Sequence, residues 1–167
     1  MSEISNAADT LKAKTCCVAG HHEVPAGDVE NINAELRREI DRAIEDGYQC
    51  FLTNFEDGVC QLFAQAVVEK QSEHDSIRLE AILPYRRRRE ELLDDEVCKP
   101  LLLACADVSF SGELPSADSD SANRREQLRR SSLMILVYDG REGGSTFDAI
   151  RRAYSQRIST REIPLGL

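Results

Sequence analysis

Leu133-Met134-Ile135-Leu136-Val137-Tyr138 is the most apolar run in the chain, and it ends in Asp139-Gly140-Arg141-Glu142-Gly143-Gly144-Ser145-Thr146 before an amphipathic stretch that reaches Arg157. Consecutive apolar residues without alternation describe a strand buried on both faces. A strand of that kind needs a sheet of similar strands and helices above and below it, so the rest of the chain should supply both. Upstream, Thr15–Ala19 is a second short apolar run, closed by Gly20. From Asp28 to Asp46, Val29, Ile32, Leu36, Ile40, Ala43 and Ile44 recur at helical spacing, with Asp28 placed to cap the start and Gly47 the end.

The same alternation fills the middle. Tyr48–Thr53 reads as a strand, Gly58–Lys70 as a helix with Leu62, Ala66 and Val67 inward, and Ile77–Leu83 as a strand ended by Pro84. Leu92–Ala106 reads as largely helical, Asp107–Phe110 as extended, Gly112–Ser121 as a loop and Arg124–Arg130 as a helix. A final helix over Thr146–Arg157 precedes a short strand near Glu162–Leu165. Together these predict a Rossmann-like three-layer α/β/α sandwich with a mostly parallel central sheet over residues 14–167, behind a mobile tail at 1–13. In such sheets ligands bind beyond the carboxyl ends of the strands.

Composition narrows the class. A chain of 167 residues, 41% hydrophobic and 31% charged, has the make-up of one globular domain. Without a long apolar segment or a signal-peptide core at Met1–Lys14, a cytoplasmic protein with no membrane partner is expected. The net charge of −9 is concentrated early: residues 1–84 hold 7 Lys/Arg against 16 Asp/Glu, and the remainder 14 against 14. Nucleic acid is therefore not an expected partner, because such binding rests on a basic face. Cys16, Cys17, Cys50, Cys60, Cys98 and Cys105 form no CxxC pair and sit mostly in apolar runs, as reduced, structural thiols do. A zinc site from Cys60, Cys98 and the histidines is the less favoured alternative, since structural zinc shows close ligand pairs.

Three strand ends carry candidate site residues. After the first strand come Gly20, His21 and His22; after the penultimate one come Asp139, Gly140, Gly143, Gly144, Ser145 and Thr146. Glycines let backbone N–H groups approach a phosphate, and a helix start adds unpaired donors, so the second segment is a candidate anion cradle. The bland alternative is that the glycines only permit turns. His21 or His22 can serve as a base or ligand contact, and adjacent side chains on a turn leave room for one of them. Behind Pro84-Tyr85 lies Arg86–Arg89, where Arg86 or Arg87 can meet a phosphate, or where i,i+4 pairs with Glu90 and Glu91 form a solvated face.

Cys16-Cys-Val-Ala-Gly-His-His22 resembles the CCFTGHR-like opening of the YpsA-like branch of the SLOG superfamily. Met134-Ile-Leu-Val-Tyr-Asp-Gly140 with Gly143-Gly144-Ser145-Thr146 resembles its LIAVYDG strand and GGT turn. The resemblance implies a Rossmann-like fold and binding of a nucleotide or nucleotide derivative, such as an ADP-ribose-like ligand, in a sensor or regulatory role. It also implies a bacterial protein and a homodimer. Departures from the pattern are specific: Ala19 and His22 stand where that branch has Thr and Arg, and Thr53-Asn-Phe-Glu-Asp-Gly-Val-Cys60 keeps Gly58 alone of the glycines in its SGMAxGxD turn. Glu56 and Asp57 put negative charge where a phosphate would approach. An interaction module with a decayed pocket is thus the second reading. A LOG-like N-glycosidic hydrolase is the third, and it lacks the expected carboxylate because Ala149 follows Thr146 at the third position and Asp148 lies one residue away.

Overall fold

The computed structural model describes residues 9–140 and 144–165. Its centre is a six-stranded sheet of order β4-β3-β2-β1-β5-β6, with every neighbouring pair parallel. The strands are β1 (Thr15–Ala19), β2 (Cys50–Thr53), β3 (Arg78–Leu83), β4 (Asp107–Phe110), β5 (Leu133–Tyr138) and β6 (Ser159–Pro164). Between them run α1 (Val29–Glu45), α2 (Val59–Gln71), α3 (Arg87–Leu93), α4 (Cys98–Leu103), α5 (Ser119–Arg129) and α6 (Gly144–Ser155). The parallel sheet with helices on both faces is the architecture the sequence predicts.

Alternate residues of β1, β2, β3 and β5 feed two cores. Cys16, Val18, Phe51, Leu79, Ile135 and Val137 pack under α1 to α4, whereas Cys17, Ala19, Leu52, Ile82, Met134 and Leu136 face α5 and α6. Four helices thus cover one face and two the other. On the thinly covered face, near the amino ends of β2 and β3, the side chains turn polar. The Glu80 carboxylate, only 5% exposed, accepts from Arg78 Nε (2.7 Å), Arg130 Nη2 (3.1 Å) and the Cys50 thiol (2.9 Å). Two guanidiniums and a thiol satisfy a charge that an apolar helix would have left unpaired.

Local differences from the sequence reading have local causes. Helix α1 is entered through a 3₁₀ turn at Ala26–Asp28, and the Asp28 side chain makes no capping bond. The segment predicted as one helix over Leu92–Ala106 is two, and the first begins earlier, at Arg87. Asp95 makes the break: its carboxylate accepts from the Val97 and Cys98 N–H groups (2.9 and 3.0 Å), opening α4, and these donors hold its carboxyl below the usual range. Helix α5 starts at Ser119, inside the segment read as a loop, where Asp120 lies in the first turn and favours the positive end of the helix. Residues 9–13 are helical, where a mobile tail is expected at 1–13; the Thr15 hydroxyl donates to Leu11 O (2.7 Å) and the Ser132 hydroxyl to Ala13 O (3.1 Å).

Candidate functional site

From β1 the chain steps outward through β2, β3 and β4, then crosses back to place β5 on the other side of β1. The helices that follow β1 and β5 pack on opposite faces of the sheet, so the carboxyl ends of these two central strands, paired as far as Ala19 and Leu136, form the switch-point crevice of the topology. That is the position where open parallel sheets hold ligands.

Close backbone contact builds one wall. A Cβ on Gly20 would lie 2.5 Å from the Val59 side chain, and one on Gly58 would lie 2.4 Å from His21 O. Val59 N–H donates to His21 O (3.3 Å), so the loop after β1 is docked onto the first turn of α2. Both glycines are required for this packing, independently of any ligand. The loop between β2 and α2 is stiffened by its own side chains. Glu56 N–H donates to Asn54 Oδ1 (3.0 Å), Phe55 N–H to Thr53 Oγ1 (3.3 Å), and Phe55, fully buried, holds φ at +60°.

The two histidines separate. His21 stacks on Tyr138 with ring centroids 6.3 Å apart, and its Nε2 accepts the Asp139 N–H at 3.3 Å while lying 3.4 Å from Asp139 Oδ1. It bridges the ends of β1 and β5 across the crevice. His22 is half-exposed, and its Nε2 lies 3.8 Å from Glu56 Oε2. His21 is thus the histidine built into the site. Gly140 and Gly144 have φ of +86° and +85°, with open space where a side chain would go, and Thr146 is buried in the first turn of α6. Gly143 lies outside the described residues, as does the Ser145 side chain.

The arginine run divides similarly. Arg86 is exposed, pairs with Glu113 and lies 4.7 Å over the Phe110 ring; Arg87 is exposed. Arg88, which the sequence reading did not single out, turns inward, and its Nη2 donates to Phe55 O (3.2 Å), tying α3 to the loop that carries Glu56.

The cation most deeply placed at this end of the sheet is Arg124 of α5, 8% exposed. Its Nη1 donates to Val18 O (3.1 Å), one residue beyond the last β1–β2 pairing at Cys17 and Leu52, and to Gln127 Oε1 (3.0 Å). Gln127 donates to Asn123 (2.7 Å), whose amide reaches Ile82 O and Ser111 Oγ, each at 3.0 Å. No carboxylate lies within ion-pair distance of Arg124 among the described residues, and its Nε and Nη2 make no bond to them, yet neither nitrogen is sealed from solvent. The available signal was the face of α5: Asn123, Arg124, Gln127 and Leu128 lie at helical spacing, and three of these four buried residues are polar.

Thiol chemistry does not suit the crevice. Burial, with a smaller contribution from Glu56, pushes the Cys60 thiol up to about 12. Among the described residues no three His, Cys, Asp or Glu side chains converge as a metal-holding group. Asp148 pairs with Arg152 (2.7 Å) on α6, and Ala149 is fully buried.

No family model matches the sequence, and no curated protein matches it. The fold is similar to that of DNA processing protein A from Helicobacter pylori, which has a single-stranded DNA binding mode. That match has a TM-score of 0.66 and 12% identity, over 96% of this chain and 69% of that one. It is also similar to the structural-genomics protein TM1055, with a TM-score of 0.56 and 21% identity, over 88% of this chain and 72% of that one. At these identities the common feature is the Rossmann-like parallel α/β fold. No helix among the described residues is long and apolar enough to cross a membrane.

Proposed function

We propose that the chain is a SLOG-like protein, related to the YpsA-like branch, that holds a nucleotide or nucleotide derivative at the carboxyl ends of β1 and β5 in a sensor or regulatory role. The observation that carries this reading is Arg124. A guanidinium that is buried, has no carboxylate partner among the described residues and keeps two donors open to solvent is a poor structural investment and a good anion partner. The glycine turn at the start of α6 and the bridging of His21 to Asp139 support it, as does the fold held in common with DNA processing protein A and TM1055. Catalysis is not part of the proposal, because Asp148, the carboxylate nearest the hydrolase pattern, is engaged by Arg152. A homodimer in the bacterial cytoplasm is the expected setting.

A second reading, a partner-binding module with a decayed pocket, is favoured by the acidic rim, where Glu56 is held beside His22. Thermal shift and calorimetry with nucleotides, dinucleotides and ADP-ribose-like compounds separate the two. Binding of a small ligand should be weak and should raise the melting temperature by linkage. It should be lost in Arg124→Met and weakened in Gly144→Asp, which places a charge where backbone donors would meet phosphate. Equal binding by both variants would remove the site from the crevice. Absence of any hit at millimolar concentration favours the partner-binding module. Tighter binding of an oligodeoxythymidylate than of every small compound would replace the small-ligand reading with a nucleic-acid one.

A further inference from the structure

The opposite end of the sheet holds a second cavity, of roughly 370 Å³, between the helical residues 9–13, the amino ends of β1 and β2, and the end of α5. We infer that it is a binding site for a small organic anion, a carboxylate or phosphate ester on an apolar stem. Its volume falls within the range of small-molecule sites. Three cations line it, Lys12, Arg129 and Arg130, against two acids, Asp9 and Glu80.

The bonding pattern settles which charges are open. Both oxygens of Glu80 are consumed by Arg78, Arg130 and Cys50, so it offers little to a cationic ligand. Arg129 is bonded to Glu126. Lys12, by contrast, has no ion-pair partner among the described residues, and of the two acids that line the cavity only Asp9, three residues earlier, is left to oppose it. Beside it, Leu11 is 43% exposed and contributes an apolar wall. An anion on Lys12 with its stem against Leu11 would cover the exposed leucine and pair the Lys12 ammonium at once.

The site is independent of the crevice at the other end of the strands, and amide-resolved NMR titration of the full chain with phenyl phosphate distinguishes them. Shifts should cluster at Leu11, Lys12, Thr15, Cys50 and Arg130. Inorganic phosphate and benzyl alcohol, which carry the anion or the stem alone, should each bind more weakly. Lys12→Glu, a surface change that leaves the fold intact, should weaken phenyl phosphate about three- to fivefold, the scale of an exposed ion pair. Unchanged affinity in Lys12→Glu, equal binding of benzyl alcohol or inorganic phosphate, or shifts confined to Gly20, His21 and Asp139 would each overturn the assignment. Arg124→Met should leave this titration as it is in the parent.

Discussion

Single residues at the crevice are constrained by backbone contact before any ligand is considered. Gly58 combines φ of +79° with a would-be Cβ 2.4 Å from a main-chain oxygen, so neither a side-chain rotation nor a local shift relieves a substitution. Gly58→Ala should cost at least about 2 kcal/mol, read as a lowered denaturant midpoint at unchanged slope. The thiols are constrained by solvent exclusion. Five of the six cysteines are buried and all are free; desolvation raises Cys50, Cys60 and Cys105 from 9.0 to about 12. Native protein should therefore react slowly with iodoacetamide at pH 8, with Cys105 first, while denatured protein should yield six thiols. For an acid whose folded pKa is raised, the stabilisation is complete below the unfolded value and is lost as pH climbs through the folded one. Stability should accordingly fall between pH 9 and 12 by up to about 1.4 kcal/mol per unit per thiol. A flat alkaline limb in the melting temperature would contradict the burial.

At the scale of elements, β5 serves both cores with buried side chains: Met134 and Leu136 face one layer, Ile135 and Val137 the other. Leu136→Asp forces a lone charge between the sheet and α6, and it should unfold the domain, visible as loss of the cooperative thermal transition. Arg87→Ala, on an exposed position of α3, should shift stability by less than about 0.5 kcal/mol. Long apolar-periodic segments such as β1, α1, α2 and β5 were legible within a residue or two because their burial pattern is their sequence pattern. The Leu92–Ala106 and Gly112–Ser121 segments were misjudged in opposite senses: the Asp95 side chain forms a turn inside the stretch read as largely helical, whereas Ser116 and Ser119, read as loop residues, bond to each other where α5 opens.

Across the whole molecule, unequal covering of the sheet organises the charges. Where α5 crosses between β4 and β5 it brings Arg124 to the carboxyl ends of the strands and Arg130 to their amino side, 3.1 Å from Glu80. Arg124→Met should change unfolding stability by less than about 2 kcal/mol, since a lost hydrogen bond to Val18 O is offset by relief of a buried charge. Glu80→Ala, which strands Arg78 and Arg130 on the thinly covered face, should cost about 3 kcal/mol or more; comparable melting of the two variants would argue against this division. The sequence by itself determined the parallel α/β fold and the strand ends at Ala19 and Tyr138 that flank the crevice, because hydrophobic period is a local property of the chain. Only the tertiary structure decided that His21 and not His22 bridges that crevice, that Arg88 rather than Arg86 or Arg87 turns inward, and that Arg124 lies beneath β1, 106 residues away in sequence. Those outcomes depend on which strand a crossing helix passes over, and no local pattern of residues encodes that distance.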